Sequence, residues 1–299
     1  MKKIIIYFSM FFCLILGACK TANINNTTNS AKNSNFGSKI EEKQYNNTQT
    51  NENTKKTEIK ETNTNTLETK ELNWYFETRK DGLPPNPPKE SKSFLSKYPS
   101  YYLGNTEKKD VYITFDEGYE NGFSAKILDI LKDNQVKAAF FVTTHYINSN
   151  KDLIKRMVDE GHLVCNHSTT HPSMAKVAKN SKEKFKNEII TNEKAFEEIT
   201  GKKMPKYFRP PMGKYSELSL QYTKDLGYKT IFWSFAYNDW DINNQPNAEK
   251  AKKIIMERTH NGCIYLLHAV SKTNTDILDS LIKDLKDKGY TFKTLDDLP

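Results

Sequence analysis

Beyond residue 109 the chain alternates short apolar, β-branched runs with longer segments of helical period, and this alternation limits the fold more than any other feature. It is the pattern of parallel strands joined by crossover helices, because parallel neighbours need a connection long enough to return across the sheet. The strand candidates cover residues 111–115, 138–142, 162–165, 206–208, 230–233, 263–267 and 290–292. Between them, Phe123, Ile127, Ile130 and Leu131 mark one apolar helix face. Phe185, Ile189, Phe196 and Ile199 mark a second, and Ile277, Leu281, Ile282 and Leu285 a third. Gly161, Gly227 and Gly289 stand where helices would end in left-handed caps. The expectation is an α/β chain whose seven strands form a (β/α) barrel, incomplete or distorted, rather than an open sheet.

Composition separates this part from what precedes it. From 21 to 66, 22 of the 46 residues are Asn or Thr, with almost no large apolar side chains to offset the entropy of ordering the backbone. The reading is a disordered linker over 19–70 followed by a folded domain over 71–299. Ahead of both, Lys2-Lys3, an apolar run from Ile4 to Leu16 and the small residues Gly17-Ala18 have the order of a secretory signal over 1–18. Leu16-Gly17-Ala18-Cys19 also resembles a bacterial lipobox, which would make Cys19 a lipid-modified, membrane-held N-terminus; an ordinary signal, or an uncleaved anchor, with an incidental Cys is the other reading. The protein is expected outside the cytoplasm, at the cell envelope.

The net charge of +8 comes from Lys spread through linker and domain rather than gathered in a basic stripe, which argues against nucleic acid as a partner. Cys13 lies inside the leader. Cys165 and Cys263 sit in strand-like apolar runs, where Cys behaves as a small hydrophobe; the exported compartment permits a disulfide between them without requiring one.

The unusual polar residues cluster just after strands: Asp116 and Glu117, His167 and His171, Arg209, Asp239 and Trp240, then His268. The carboxyl ends of parallel strands form the reactive face of such folds, so five separate segments aim their chemistry at one place. His167 and His171 are four apart, and one helical turn would set both on one side for a metal ion. Either carboxylate of the Asp116-Glu117 pair could add a ligand while the other accepts a proton from bound water. Arg209 could pair with Asp116 and keep it ionised, and Asp239 could favour the imidazolium of His268 as proton donor.

These segments resemble the polysaccharide deacetylases, carbohydrate esterase family 4, with its NodB homology domain, over residues 111–298. Thr114-Phe115-Asp116-Glu117 is similar to the family's first motif, normally Thr-Phe-Asp-Asp. His167 to His171 matches the second, Arg209-Pro210-Pro211 the third, Asp239-Trp240 the fourth and Leu266-Leu267-His268 the fifth. The resemblance implies Asp116 as general base supported by Arg209, and His268 as general acid tuned by Asp239. It implies a divalent metal, zinc foremost, on Glu117, His167 and His171. It implies the Met212 N–H as oxyanion donor, with Trp240 and Leu266 lining an acetyl pocket. Glu117 departs from the usual Asp, Met212 from a frequent Tyr, and Ala236 from a frequent Asp.

Within the family the chain looks most like the delta-lactam-biosynthetic branch, through 114–122, Ala236 to Trp240, Tyr265 to His268, Trp74 and 82–85. That branch implies removal of N-acetyl groups from N-acetylmuramic acid in spore cortex peptidoglycan, with glycan strands as partner; a monomer is expected. The alternatives are deacetylation of N-acetylglucosamine or another acetylated polysaccharide, and a wall-binding lipoprotein whose metal site has decayed at Glu117.

Overall fold

The computed structural model describes residues 66–79 and 82–299; Cys13, the leader expected over 1–18, Cys19 and the linker through residue 65 lie outside the described residues. Among the described residues the strands are β1 (Leu72–Asn73), β2 (Ser100–Tyr101), β3 (Asp110–Glu117), β4 (Ala139–Val142), β5 (Leu163–Asn166), β6 (Tyr207–Phe208), β7 (Lys214–Tyr215), β8 (Lys229–Ile231), β9 (Cys263–His268) and β10 (Thr291–Phe292). The helices are α1 (Ser124–Asp133), α2 (Thr144–Ser149), α3 (Lys151–Asp159), α4 (Met174–Asn180), α5 (Lys182–Thr200), α6 (Glu217–Asp225), α7 (Ala248–Arg258) and α8 (Lys272–Asp287).

The main sheet runs β10-β3-β4-β5-β6-β8-β2, with β9 on the other edge of β3, and every ladder in it is parallel. All seven expected strands are present. The eighth, β2, is a two-residue Ser-Tyr segment on β8, too short to leave a periodic signal. Beyond β9 the ladder gives way to isolated bridges, Phe235 to Tyr265 and Leu103 to Cys263. The barrel is therefore incomplete, closed on that side by single contacts. The expected caps Gly161, Gly227 and Gly289 are all left-handed, just past α3, α6 and α8.

Strand β3 divides the interior. Val111, Ile113 and Phe115 belong to the large core beneath the helices, with Ile127 and Leu131 of α1 and Leu281 and Leu285 of α8. Tyr112 belongs instead to a smaller core with Phe141, Cys165, Ile231 and Ile264. Successive side chains of a strand point to opposite faces, and β3 obeys this strictly. Cys165 and Cys263 are both buried and free, on β5 and β9 with β3 and β4 between them, so the permitted disulfide does not form. No helix among the described residues is long and apolar enough to cross a membrane.

Candidate active site

A cavity of about 1010 Å³ opens over the carboxyl ends of β3, β5 and β9. Asp116, His167, His171, Met212, Trp240, Leu266 and His268, all singled out from sequence, line it. Arg209 and Asp239 stand behind this lining, each with no exposed surface and each holding one lining residue.

Asp116 accepts a hydrogen bond at 2.7 Å from Arg209 Nη1. Arg209 is fixed in turn by its Nε and Nη2 on the carbonyls of Ile231 and Phe232, at 3.2 and 3.4 Å, and by the Phe141 ring 4.1 Å away. Burial raises the pKa of Asp116, but the charge and hydrogen bond of Arg209, with His268 nearby, outweigh it, and the carboxyl lies below its ordinary value. An ionised carboxylate at the cavity wall is thereby maintained.

Across the cavity, His268 Nδ1 donates to Asp239 Oδ1 at 2.7 Å, and the His268 backbone N–H donates to Oδ2 at 2.9 Å. Burial lowers the His268 pKa, yet the bond and charge of Asp239 raise it further, and the net direction is up. With Nδ1 committed to Asp239, Nε2 is the atom free to exchange a proton in the cavity. Sequence reading did not find Asn274, whose amide donates to Asp239 Oδ2 at 2.6 Å and to the His268 carbonyl at 3.1 Å. Its signal is present: Asn274 falls three residues before Ile277, a polar residue on the apolar stripe of α8.

His167 and His171 do come together, with ring centroids 4.9 Å apart, but a loop and not a helical turn joins them. Ser168 and His171 are left-handed, at φ 66° and 58°, so the chain folds back on itself. A left-handed non-glycine residue costs roughly 1–2 kcal/mol, and α5 supplies the opposing contacts. Glu188 accepts from Thr169 N at 3.0 Å, Thr170 N at 2.8 Å and Thr170 Oγ1 at 2.8 Å. Buried Asn192 donates to the carbonyls of Ser168 at 3.0 Å and Val142 at 2.9 Å. Neither was read from sequence. Asn192 had a signal, being polar on the stripe of Phe185, Ile189 and Phe196; Glu188 had none.

His167 Nδ1 donates to the Arg209 carbonyl at 2.9 Å, which leaves the Nε2 lone pair facing Asp116 Oδ2 at 3.6 Å. Burial lowers the pKa of His167 to about 4 and also lowers that of His171, so both imidazoles are neutral at pH 7 and chemically suited to a cation. Glu117 does not join them. It has the parity of Val111, Ile113 and Phe115, is fully buried, is not part of the cavity wall, and neither carboxylate oxygen has a hydrogen-bond partner. Burial, then the nearby Glu120 and Asp116, hold its pKa well above the carboxylate range. Glu117 therefore stands apart from the two imidazoles in this structure, because strand alternation turns consecutive residues to opposite faces. Two neutral imidazoles with Asp116 as neighbouring carboxylate are the donor set that fits a divalent ion by chemistry. Among the described residues, no three His, Cys, Asp or Glu side chains stand close enough together to hold one as they are.

Met212 and Trp240 are exposed at the cavity mouth, at 51 and 59 %, whereas Leu266 is buried in its wall. Met212 is left-handed at φ 57° and precedes Gly213 at φ 64°. Of the four left-handed non-glycine residues described, His171 and Met212 line the cavity and Ser168 lies buried between the lining residues His167 and Thr169.

The sequence pattern of the family described as Polysaccharide deacetylase matches residues 103–231. The peptidoglycan-N-acetylmuramic acid deacetylase PdaA of Bacillus subtilis is 45% identical over 227 residues, 76% of this chain and 85% of that protein. A peptidoglycan-N-acetylglucosamine deacetylase of Bacillus cereus is 32% identical over 207 residues, 68% of this chain and 73% of that one. The solved structure of Bacillus subtilis PdaA, described as a family 4 carbohydrate esterase, matches with a TM-score of 0.73 at 44% identity, covering 77% of this chain and 97% of that one. The chain belongs to the polysaccharide deacetylase family, carbohydrate esterase family 4.

Proposed function

We propose that this peptidoglycan deacetylase removes the N-acetyl group of N-acetylmuramic acid, in the route to the muramic delta-lactam of spore cortex. The observation that carries the chemistry is a pair of oppositely tuned groups on one cavity: Asp116 bonded by Arg209 at 2.7 Å, which lowers its pKa, and His268 bonded to Asp239 at 2.7 Å, which raises its pKa. Asp116 takes the proton of the attacking water. The backbone N–H of Met212 stabilises the oxyanion that forms on the acetyl oxygen. His268 Nε2 then protonates the departing nitrogen, giving a free amino sugar and acetate. His167 and His171, with Asp116 beside them, would hold a divalent ion, zinc in this reading, which when bound supplies a Lewis acid for the acetyl carbonyl and acidifies water. Trp240 and Leu266 bound the space for the acetyl methyl.

The choice of muramic acid rests on the 45% identity to PdaA over most of both chains. The protein acts outside the cytoplasm as a monomer on glycan strands, and residues 19–70 serve as its tether from a lipid on Cys19. The test is acetate release from peptidoglycan, half of it stripped of stem peptides, with zinc and after chelation. Metal-dependent release of muramic acetyl groups, mainly from stripped glycan, is expected. Release from glucosamine alone would move the substrate to N-acetylglucosamine, and glycan binding without release would make the chain a binding protein. Mass spectrometry of the mature N-terminus tests the lipid on Cys19.

A further inference from the structure

Residues 71–74 precede the span that matches the family pattern, yet they touch both left-handed loops of the cavity. On one side, β1 pairs antiparallel with β7, Leu72 against Tyr215 and Asn73 against Lys214. The Trp74 backbone N–H donates to the Gly213 carbonyl at 2.7 Å, one residue from Met212. The Trp74 indole N–H donates to the carbonyl of Trp233 at 2.9 Å, and Trp233 lines the cavity. The indole lies flat on Phe232, centroids 4.0 Å apart and 11° from parallel. The fit leaves no slack: a Cβ on Gly213 would stand 2.8 Å from the Trp233 ring and 3.1 Å from Trp74 Cβ.

On the other side, Glu71 reaches the loop that carries His171. One carboxylate oxygen accepts from the hydroxyl of Ser173, the N-cap of α4 two residues past His171, and the other lies 3.5 Å from Lys214 Nζ. A single four-residue segment therefore ties the Met212 loop to the His171 loop. Both loops hold residues in left-handed conformations that L side chains resist, so each needs outside contacts to keep its shape.

We infer that residues 71–74 are a positioning strap for the reaction, setting the Met212 N–H and the His171 loop relative to each other; this rests on the deacetylase reading above. A misplacement of the oxyanion donor by about 1 Å lowers turnover by as much as roughly a hundredfold while leaving glycan binding nearly intact. Trp74→Ala in the full chain removes the stack and the indole bond. It is expected to lower kcat by roughly tenfold or more with KM changed by less than about threefold. Glu71→Gln, which cannot unfold the core, is expected to lower kcat by a few-fold. Trp74→Phe keeps the stack and the backbone bond, and should recover most of the loss. Amide hydrogen exchange over 168–174 and 210–216 reads the strap without reference to turnover, and should accelerate in Trp74→Ala and Glu71→Gln. Unchanged exchange in both loops would overturn the inference, as would accelerated exchange with kcat at the wild-type value. Failure of the wild-type protein to release acetate would sink the deacetylase reading instead, and the exchange data would still decide whether the strap holds the loops.

Discussion

Asp116 and Glu117 are neighbours in the chain and belong to different regions of the molecule. Asp116 faces the cavity, bonded by Arg209 and 3.6 Å from His167. Glu117 is turned toward the helices, without a hydrogen-bond partner. One carboxyl is driven below its ordinary pKa and the other well above it. The same burial penalty acts on both, and an arginine offsets it for only one. What decides function at this strand end is thus the face, not the residue type.

Substitutions on the two faces separate these roles. Asp116→Asn should reduce acetate release by roughly 10³-fold or more, because the general base is gone while the packing of Arg209 is nearly preserved. Full activity in that variant would end the assignment of the inner face as catalytic. Asp239→Asn should cost roughly 10²-fold near neutral pH and move the alkaline limb of the kcat/KM profile to lower pH. The sign follows from the wild type: Asp239 raises the His268 pKa, so removing its charge lets the imidazolium lose its proton sooner. An unmoved alkaline limb would show that His268 is not the acid being titrated.

Glu188→Gln reaches the inner face from outside it, through the loop of His167 and His171. It should weaken Zn(II) binding by about tenfold in a calorimetric titration, as is usual for groups that orient metal ligands. Glu117→Gln should do least to activity. Its folded-state pKa is raised, so the contribution of the wild-type carboxyl to stability is present at acid pH. That contribution declines as pH rises above the unfolded Glu value toward the folded one. The variant should retain acetate release and show a flatter dependence of melting temperature on pH across that window. Loss of Zn(II) binding in Glu117→Gln would instead restore Glu117 as a ligand and erase the contrast with Asp116.

Much of this site was legible in the sequence because strand ends announce themselves. A run of apolar, β-branched residues followed at once by Asp116, His167, Arg209 or His268 locates each of them on the carboxyl edge of a parallel sheet, whatever the details of closure. The two pairings, Arg209 with Asp116 and Asp239 with His268, follow from charge once those ends converge. The place of Glu117 was not legible, because motif spacing says nothing about strand parity at the last residue. Glu188, Asn192 and Asn274 lie on helices, so their reach to the site depends on how α5 and α8 pack.

The sequence by itself determined the order of strands and helices, the helix caps and the set of groups able to do chemistry, since periodicity, glycine placement and side-chain type are local properties. Tertiary structure decided which face each group occupies, which backbone turns are held left-handed, and that Trp74 and Glu71 press on segments more than a hundred residues away. Those outcomes depend on long-range packing: a side chain's pKa, ligand competence and positioning role are set by what is brought against it, and the chain order does not record that.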